Sequence, residues 1–174
     1  MPPITLDQVR NLGDFATIVD WELQFITVPS GLNNLSDAVF LRCESSDIPK
    51  KTGTSTSIQI RGLVPVKQPG IYAPPQTLTL TCNETVDNAI AQQIANWREM
   101  CYQTGTGVAG RTQDVKAKLR LKRLNRQKVG IWYYDLEGVF LEDYDAGGQL
   151  GSTSADVLKP VLTLSYDDFK EGAL

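Results

Sequence analysis

The sequence of 174 residues contains no histidine, and this absence excludes more chemistry than any other feature of its composition. Without histidine the chain can form no Ser-His-Asp triad, no Cys-His nucleophile pair and no histidine-ligated metal site. Catalysis would have to rely on carboxylate, Ser-Lys or tyrosine chemistry. We therefore expect a protein that is not an enzyme and that carries no cofactor.

Cysteine is also scarce, and the three cysteines Cys43, Cys82 and Cys101 are widely spaced, with no C-x-x-C motif. Zinc sites draw on clustered ligands, so no metal site is expected. No apolar run approaches the roughly 18 residues of a membrane span, and no membrane partner is expected. The first residues, MPPITLDQVRN, lack the basic-then-apolar pattern of a signal peptide. The thiols are therefore expected to be reduced and buried.

The composition that is present suits one domain over residues 1–174, with 41% hydrophobic and 21% charged residues. The charge is unevenly placed. Residues 114–128 hold seven basic residues and one acid, whereas residues 129–174 hold nine acids and two lysines. Such asymmetry suggests contact with another copy or with a charged partner; the alternative is a solvated strand face beside an acidic loop.

Most of the chain has the alternating pattern of β-strands. We expect a short helix over 5–12, a proline-rich turn over 68–76, and strands over 18–28, 38–44, 57–60, 63–67, 77–82, 115–124, 129–136 and 157–166. One long helix is expected over about 86–102, with Val86, Ile90, Ile94, Trp97 and Cys101 on one stripe and Thr85 or Asn83 as its cap. Ile90, Ile94 and Trp97 should form its core contact with a sheet. Many strands with one helix and no βαβ alternation predict a mainly β fold, an antiparallel β-sandwich or barrel with the helix packed on it.

The stretch GTGVAGRT, residues 105–112, matches the dinucleotide-binding pattern G-x-G-x-x-G and nearly matches a P-loop, with Arg111 at the lysine position. A phosphate loop needs a strand before it and a helix after it, so that helix amides face the anion. Here the long helix precedes the loop and a strand follows. We interpret Gly105 as the helix-terminating glycine and Gly107 and Gly110 as loop glycines, and no nucleotide is expected.

The strand VKAKLRLKRL should bury Val115, Ala117, Leu119 and Leu121 and expose a basic stripe of Lys116, Lys118, Arg120 and Lys122. A nucleic-acid-binding barrel could use such a stripe, but the acidic balance of the chain and the lack of interleaved aromatic residues argue against it.

Acidic residues form a second cluster, at Glu137, Glu142, Asp143 and Asp145. A carboxylate pair could hydrolyse glycosides, but we interpret the cluster as an acidic loop. It is not a calcium loop, because no glutamate stands at the twelfth position.

Five segments are informative through their order and spacing: GDFATIVDWELQFI, FLRCESSDIP, TLTLTCNETVDNAIAQQIANWREM, VKAKLRLKRLNRQKVGIWYYDLEGVFLEDYD and VLKPVLTLSYDDF. Together, from about Leu6 to Phe169, they resemble the tail tube proteins of contractile-tailed bacteriophages. Two features depart from the family: the loop over 145–156 is longer, and Leu141 stands where proline is frequent.

The resemblance implies a structural virion protein whose hexameric rings stack into the inner tube of a contractile tail, assembled in the host cytoplasm. Its partners would be further copies, the sheath, baseplate and tail terminator proteins, and the tape measure protein and phage DNA in the lumen. The related alternative is a tube subunit of a type VI secretion or other contractile injection system. On this reading Asp47, Lys50, Lys51 and Thr52, in the loop over 46–57, are expected at the ring-to-ring contact. The basic stripe is expected to face a neighbouring subunit or the sheath, because a DNA conduit should be acidic or neutral.

Overall fold

The computed structural model describes residues 18–59, 61–62, 64–147 and 156–174, and antiparallel strands dominate these residues. The predicted helix over 5–12 lies outside them, as does most of the long loop over 145–156. The strands are β1 (Trp21–Thr27), β2 (Cys43–Ser46), β3 (Gly53–Ile58), β4 (Val66–Tyr72), β5 (Thr77–Cys82), β6 (Ala117–Leu124), β7 (Gly130–Asp145), β8 (Val161–Ser165) and β9 (Asp168–Ala173). The helices are α1 (Leu35–Arg42), α2 (Ala89–Cys101) and α3 (Thr112–Val115).

Strand β7 is 16 residues long and connects two layers of sheet. Its first part pairs with β6 along one edge and with β9 along the other, and its second part pairs with β8. Gly138 lies where the partner on one edge changes from β9 to β8, and its φ of +68° is a left-handed conformation that favours glycine. The first layer has the strand order β1-β6-β7-β9, and the second has the order β7-β8-β5-β2.

A single hydrophobic core collects buried residues from both layers and from α1 and α2. In β5 and β6 alternate residues are buried, as predicted. Helix α2 contributes the predicted contacts Ile90, Ile94 and Trp97, all fully buried, together with Cys101. The Trp97 indole Nε1 donates a hydrogen bond to the carbonyl oxygen of Val115 at 2.9 Å, and its ring lies edge-on to that of Phe25.

Helix α2 is shorter than predicted because it begins at Ala89 rather than at about residue 86. Val86, assigned to the buried stripe, is fully exposed and precedes the helix, so that assignment is wrong. The expected caps are also wrong. The Glu84 carboxylate accepts hydrogen bonds from the backbone N–H groups of Ile90 and Ala91 at 3.2 and 2.8 Å, which satisfies free donors of the first turn.

The second predicted strand, over 38–44, is mostly helix. Residues 35–42 form α1, and only Cys43–Ser46 pair with β5. The physical reason is a helical spacing: Leu35, Ala38 and Val39 are buried at positions i, i+3 and i+4. Because the apolar run is so short, its periodicity did not distinguish a strand from a helix.

The region over 46–76 is also different from its prediction. It contains a hairpin of β3 and β4. The prediction for these residues was two short strands over 57–60 and 63–67, a loop before them and a proline-rich turn after them. Pro69 lies within β4, and a two-stranded ribbon tolerates proline because each strand has a free edge.

Three further differences concern the second half of the chain. The acidic cluster lies on β7 rather than in a loop. Strand β8 is shorter than the strand predicted over 157–166. Val115 ends α3, whereas it was predicted to begin the strand that corresponds to β6. Strand β9 has no counterpart in the sequence prediction.

Candidate assembly surfaces

One side of the four-stranded layer β1-β6-β7-β9 faces the core, and the other side carries charged and polar residues. We call this second side the polar face. Its members, at matching register positions, are Glu22 and Gln24 from β1, Lys118, Arg120 and Lys122 from β6, Tyr133, Asp135 and Glu137 from β7, and Asp168 and Lys170 from β9.

Arg120 forms the most ordered contact of the polar face. Its Nε and Nη2 atoms donate hydrogen bonds to the two carboxylate oxygens of Asp135 at 2.5 and 2.6 Å, in a bidentate geometry. The guanidinium also lies over the Tyr133 ring, 5.3 Å from its centroid. The hydrogen bonds with Asp135 raise the pKa of Arg120 above its usual value, so the guanidinium stays charged.

The other cations of the predicted basic stripe also meet carboxylates of the same chain. Lys122 lies 3.5 Å from Glu22, and Lys118 lies 4.0 Å from Glu137. Lys116, which precedes β6, contacts Asp167 at 2.7 Å. Lys170 from β9 contacts Glu137 at 3.1 Å. The polar face therefore carries four cations and four carboxylates, and it is not a cationic surface.

Each of the two outer strands of this layer has one edge that no other described strand pairs with. Within the described residues, β1 pairs only with β6, and β9 pairs only with β7. An unpaired edge presents backbone N–H and C=O groups that can pair with another chain. Because four antiparallel strands alternate in direction, β1 and β9 run antiparallel to each other. The β9 edge of one copy could thus extend the layer at the β1 edge of the next.

The hairpin of β3 and β4 is a second candidate surface, because every residue of both strands is exposed. Its exposed apolar side chains are Ile58, Val66, Ile71 and Tyr72. The hairpin forms its own two-stranded sheet, separate from the two layers. Neither of its two strands contributes a residue to the core, and the surfaces of both are open to a partner.

The residues predicted for ring-to-ring contact lie at the base of this hairpin. Asp47 is bonded to β5: its N–H donates to the Thr79 carbonyl, and its carboxylate accepts from the Thr79 N–H. Lys51 contacts Glu171 at 3.1 Å and lies over the Phe169 ring. The Thr52 hydroxyl donates to the Ala73 carbonyl at 2.7 Å, and Lys50 is exposed.

Asp47 and Lys51 thus bind their own chain, and their contacts fix the position from which the hairpin projects.

The glycine-rich stretch over 105–112 connects α2 to α3, and within it Gly110 packs closely against the end of α2. Helix α2 ends at Cys101 with Tyr102 as its C-cap, so the prediction that Gly105 terminates the helix is wrong. A Cβ added at Gly110 would lie 2.0 Å from the Met100 carbonyl oxygen. The glycine here permits close approach to the helix end, a role that involves no phosphate.

The carboxylates considered for catalysis do not form a buried pair. Glu142, Asp143 and Asp145 are exposed along β7, and Glu137 binds Lys170. Among the described residues no three Cys, Asp or Glu side chains are grouped as metal ligands. None of the helices in the described ranges has the length and apolar character needed to cross a membrane.

The fold is similar to that of tube proteins of contractile injection systems, which confirms the fold that the resemblance predicted. A chain of the PVC sheath-tube complex in its extended state, from an extracellular contractile injection system, matches with a TM-score of 0.64 at 11% identity, over 99% of this chain and 100% of that chain. A chain of the tube-terminating cap of the anti-feeding prophage matches with a TM-score of 0.65 at 12% identity, over 93% of both chains.

A chain of the anti-feeding prophage baseplate matches with a TM-score of 0.62 at 14% identity, over 92% of this chain and 97% of that chain. No protein-family model and no curated protein matches the sequence. The likeness at these identities is one of fold.

Proposed function

We propose that the protein is a non-enzymatic tube subunit that assembles into stacked rings and forms the inner tube of a contractile tail or injection system. The observation that carries the proposal is the four-stranded layer with complementary edges on β1 and β9 that no described strand pairs with. The match in fold over nearly the whole length of tube-complex chains supports it.

Ring closure follows from joining the two edges. A head-to-tail contact between β9 of one copy and β1 of the next uses two different surfaces, and such a contact closes into a ring when the rotation permits. The four-stranded layers would then form one continuous barrel, and the unpaired edges would disappear. The resemblance to phage tail tubes suggests six copies per ring.

The polar face would line the bore of that barrel. The second layer and the helices lie on the core side of the four-stranded layer, and they are too bulky to occupy the inside of a ring. The basic stripe was expected to face a neighbour or the sheath, because free lysines would retain DNA. Since these cations lie against carboxylates such as Asp135 and Glu22, that reason no longer applies, and a balanced face suits a conduit.

Stacking between rings would use the β3–β4 hairpin and its base at Asp47, Lys50, Lys51 and Thr52. The hairpin is exposed on all sides and projects from a base that is fixed by Lys51 and Thr52. Apolar side chains such as Ile71 and Tyr72 would be buried against the adjacent ring. Burial of such exposed apolar area is the usual driving force of association.

The finer assignment is a phage tail tube, in the virion, that conducts DNA during ejection. Its partners would be the sheath, baseplate, tail terminator and tape measure proteins. The alternative is the tube of an extracellular injection system or of type VI secretion. The fold matches include chains from sheath-tube, cap and baseplate structures, and these suggest that the tube contacts sheath and baseplate components.

Negative-stain electron microscopy of the purified chain over a concentration series tests the proposal. We expect rings, or hollow tubes of uniform width, whose number increases with concentration. A chain that stays monomeric at the highest concentration and binds double-stranded DNA with a steep salt dependence would contradict it and would favour the nucleic-acid-binding barrel.

A further inference from the structure

Two of the three cysteines lie directly opposite each other on neighbouring strands. Cys43 begins β2 and Cys82 ends β5, and the two are register partners in the antiparallel pair. Cys82 is fully buried, whereas Cys43 is half-buried at the rim of the core. Both thiols are free, and the Cys43 thiol donates a hydrogen bond to the Ser45 carbonyl oxygen at 3.4 Å.

The backbone hydrogen bonds near Cys43 and Cys82 show whether the two residues form a hydrogen-bonded or a non-hydrogen-bonded pair of the antiparallel ladder. The Asn83 N–H donates to the Arg42 carbonyl at 2.8 Å, so residues 42 and 83 form a hydrogen-bonded position between the segments. The Cys82 N–H points the other way and donates to the Pro160 carbonyl at 2.9 Å. Cys43 and Cys82 therefore occupy a non-hydrogen-bonded position, where opposed Cα atoms are about 4.5 Å apart. This separation is within the range that a disulfide spans, about 4.4–6.8 Å.

We propose that Cys43 and Cys82 form a thiol-oxidation site, at which a disulfide oxidant of the glutathione class converts the pair into an intrachain disulfide between β2 and β5. The third cysteine, Cys101, has no part in it. It lies at the end of α2 and is not a register partner of either of the other two cysteines.

The reaction proceeds by two thiol–disulfide exchanges. The Cys43 thiolate attacks one sulfur of oxidised glutathione, which forms a mixed disulfide and releases one glutathione thiolate. The Cys82 thiol then loses its proton and attacks the Cys43 sulfur, which releases the second glutathione thiolate. Two protein thiols are oxidised, one glutathione disulfide is reduced, and the two protons pass to the glutathione products.

The order of attack follows from the environments of the two thiols. The hydrogen bond with the Cys43 side chain and burial together raise the pKa of the Cys82 thiol well above its usual value. Cys82 is therefore a poor first nucleophile, because only the thiolate reacts. Cys43 is the thiol that a soluble oxidant can reach.

The disulfide would clamp the base of the β3–β4 hairpin. Strand β2 is four residues long, and β5 is its only partner among the described strands. The chain between Cys43 and Cys82 contains the whole hairpin. Closing this loop restricts the unfolded chain and holds β2 against β5, so the oxidised protein should be more stable than the reduced one.

The test compares the full chain before and after incubation with excess oxidised glutathione. We expect an intact mass that falls by two hydrogen atoms, a peptide map that joins the Cys43 and Cys82 peptides, and a Tm that rises by several degrees and returns to its original value with dithiothreitol. Cys101→Ala should behave in the same way as the unmodified chain. Cys43→Ser, at a half-buried site that tolerates a hydroxyl, should fold and lose all three effects.

Four results would overturn the proposal: an unchanged mass, a stable glutathione adduct on either cysteine, a bond that maps to Cys101, or a crosslink between chains. Circular dichroism of Cys43→Ser confirms that its missing crosslink is not caused by unfolding. None of these readouts depends on ring assembly, so the inference can fail or succeed independently of the proposed function.

Discussion

Gly110 lies where the chain turns away from the end of α2, and its missing side chain is what lets it pack there. A Cβ at this position would lie 2.0 Å from the Met100 carbonyl oxygen and 2.7 Å from Val115 Cγ1. The Gly110 N–H also donates to the Cys101 carbonyl at 2.9 Å, so the loop cannot move away without losing that bond. The last glycine of the G-x-G-x-x-G motif is therefore explained by its close packing against the end of α2.

We expect Gly110→Ala to destabilise the fold by about 1–3 kcal/mol, because an overpacked contact forces backbone to shift. The matched control is Gly105→Ala in the same loop, where a Cβ would meet nothing within 4 Å. The control should stay within about 0.5 kcal/mol of the unmodified chain. Urea denaturation followed by tryptophan fluorescence measures both, and equal effects would refute the packing explanation.

At the scale of elements, the β3–β4 hairpin projects from the fold, and its strands add no buried residue to the core. Every residue of its two strands is exposed, and Thr52 and Ala73 close its base through the Ala73 N–H and the Thr52 hydroxyl. Because Thr52 and Ala73 are already opposed, a two-residue Asn-Gly turn can join them in place of residues 53–72.

We expect this shortened chain to fold with a free energy of unfolding within about 1 kcal/mol of the original, because the two strands that it loses contribute no residue to the core. It should form single rings that do not stack, as electron microscopy can show. A second variant, with residues 59–65 replaced by Asn-Gly, keeps both strands and separates the contribution of the tip. Long tubes from the shortest chain would contradict the assignment of stacking to the hairpin.

The sequence predicted those elements whose pattern reflects their burial. β5 and β6 alternate because one face of each meets the core, and the Ile90–Ile94–Trp97 stripe of α2 has the helical period for the same reason. Helix α1 was missed because eight residues carry too few turns to show a period. Strand β9, DFKEGA, was missed because Asp, Lys, Glu and Gly have low strand propensity, and its pairing with β7 determines its conformation.

The contacts of the candidate surfaces were only partly accessible from the sequence. The strands over 115–124 and 129–136 were predicted, but pairing Leu124 with Val129 across the residues between them would place Arg120 opposite Tyr133. A register shift between Arg123 and Leu124 places Arg120 opposite Asp135 instead, so this pair could not be found from the sequence. Nor could the contact between Lys51 and Glu171, since it joins segments separated by 120 positions whose proximity depends on the unpredicted β9.

At the scale of the whole molecule, the proposal requires β9 to offer its outer edge to another copy. The Leu174 N–H donates to the Ile131 carbonyl at 3.4 Å, so position 174 bonds inward to β7. Backbone groups alternate in direction along an antiparallel strand. The N–H groups of Lys170 and Gly172 therefore also point toward β7, and the N–H of Glu171 points away from it. Proline is tolerated on an edge strand where its missing N–H would face away from the sheet.

Glu171→Pro should therefore leave the fold intact and abolish the assembly of subunits into rings. The substitution removes an outward N–H donor and places the pyrrolidine group of proline on the pairing edge. Glu171→Gln controls for the lost contact with Lys51 and should still assemble, since it keeps the backbone donor. Lys170→Pro is the opposite control: the N–H of Lys170 bonds inward, so its loss leaves an acceptor on β7 without its donor and should destabilise the chain by about 1–3 kcal/mol. Sedimentation velocity reports assembly, and thermal unfolding reports the fold.

These three variants distinguish an edge contact from other ways of making a ring. If Glu171→Pro is folded and monomeric while Glu171→Gln assembles, the β9 backbone itself makes the contact. If Glu171→Pro assembles as well as the unmodified chain, β9 is not an interface, and the continuous barrel is ruled out even where rings form. In that case subunits would have to meet through side chains of the hairpin or the helices, and the polar face would have no geometric reason to line a bore.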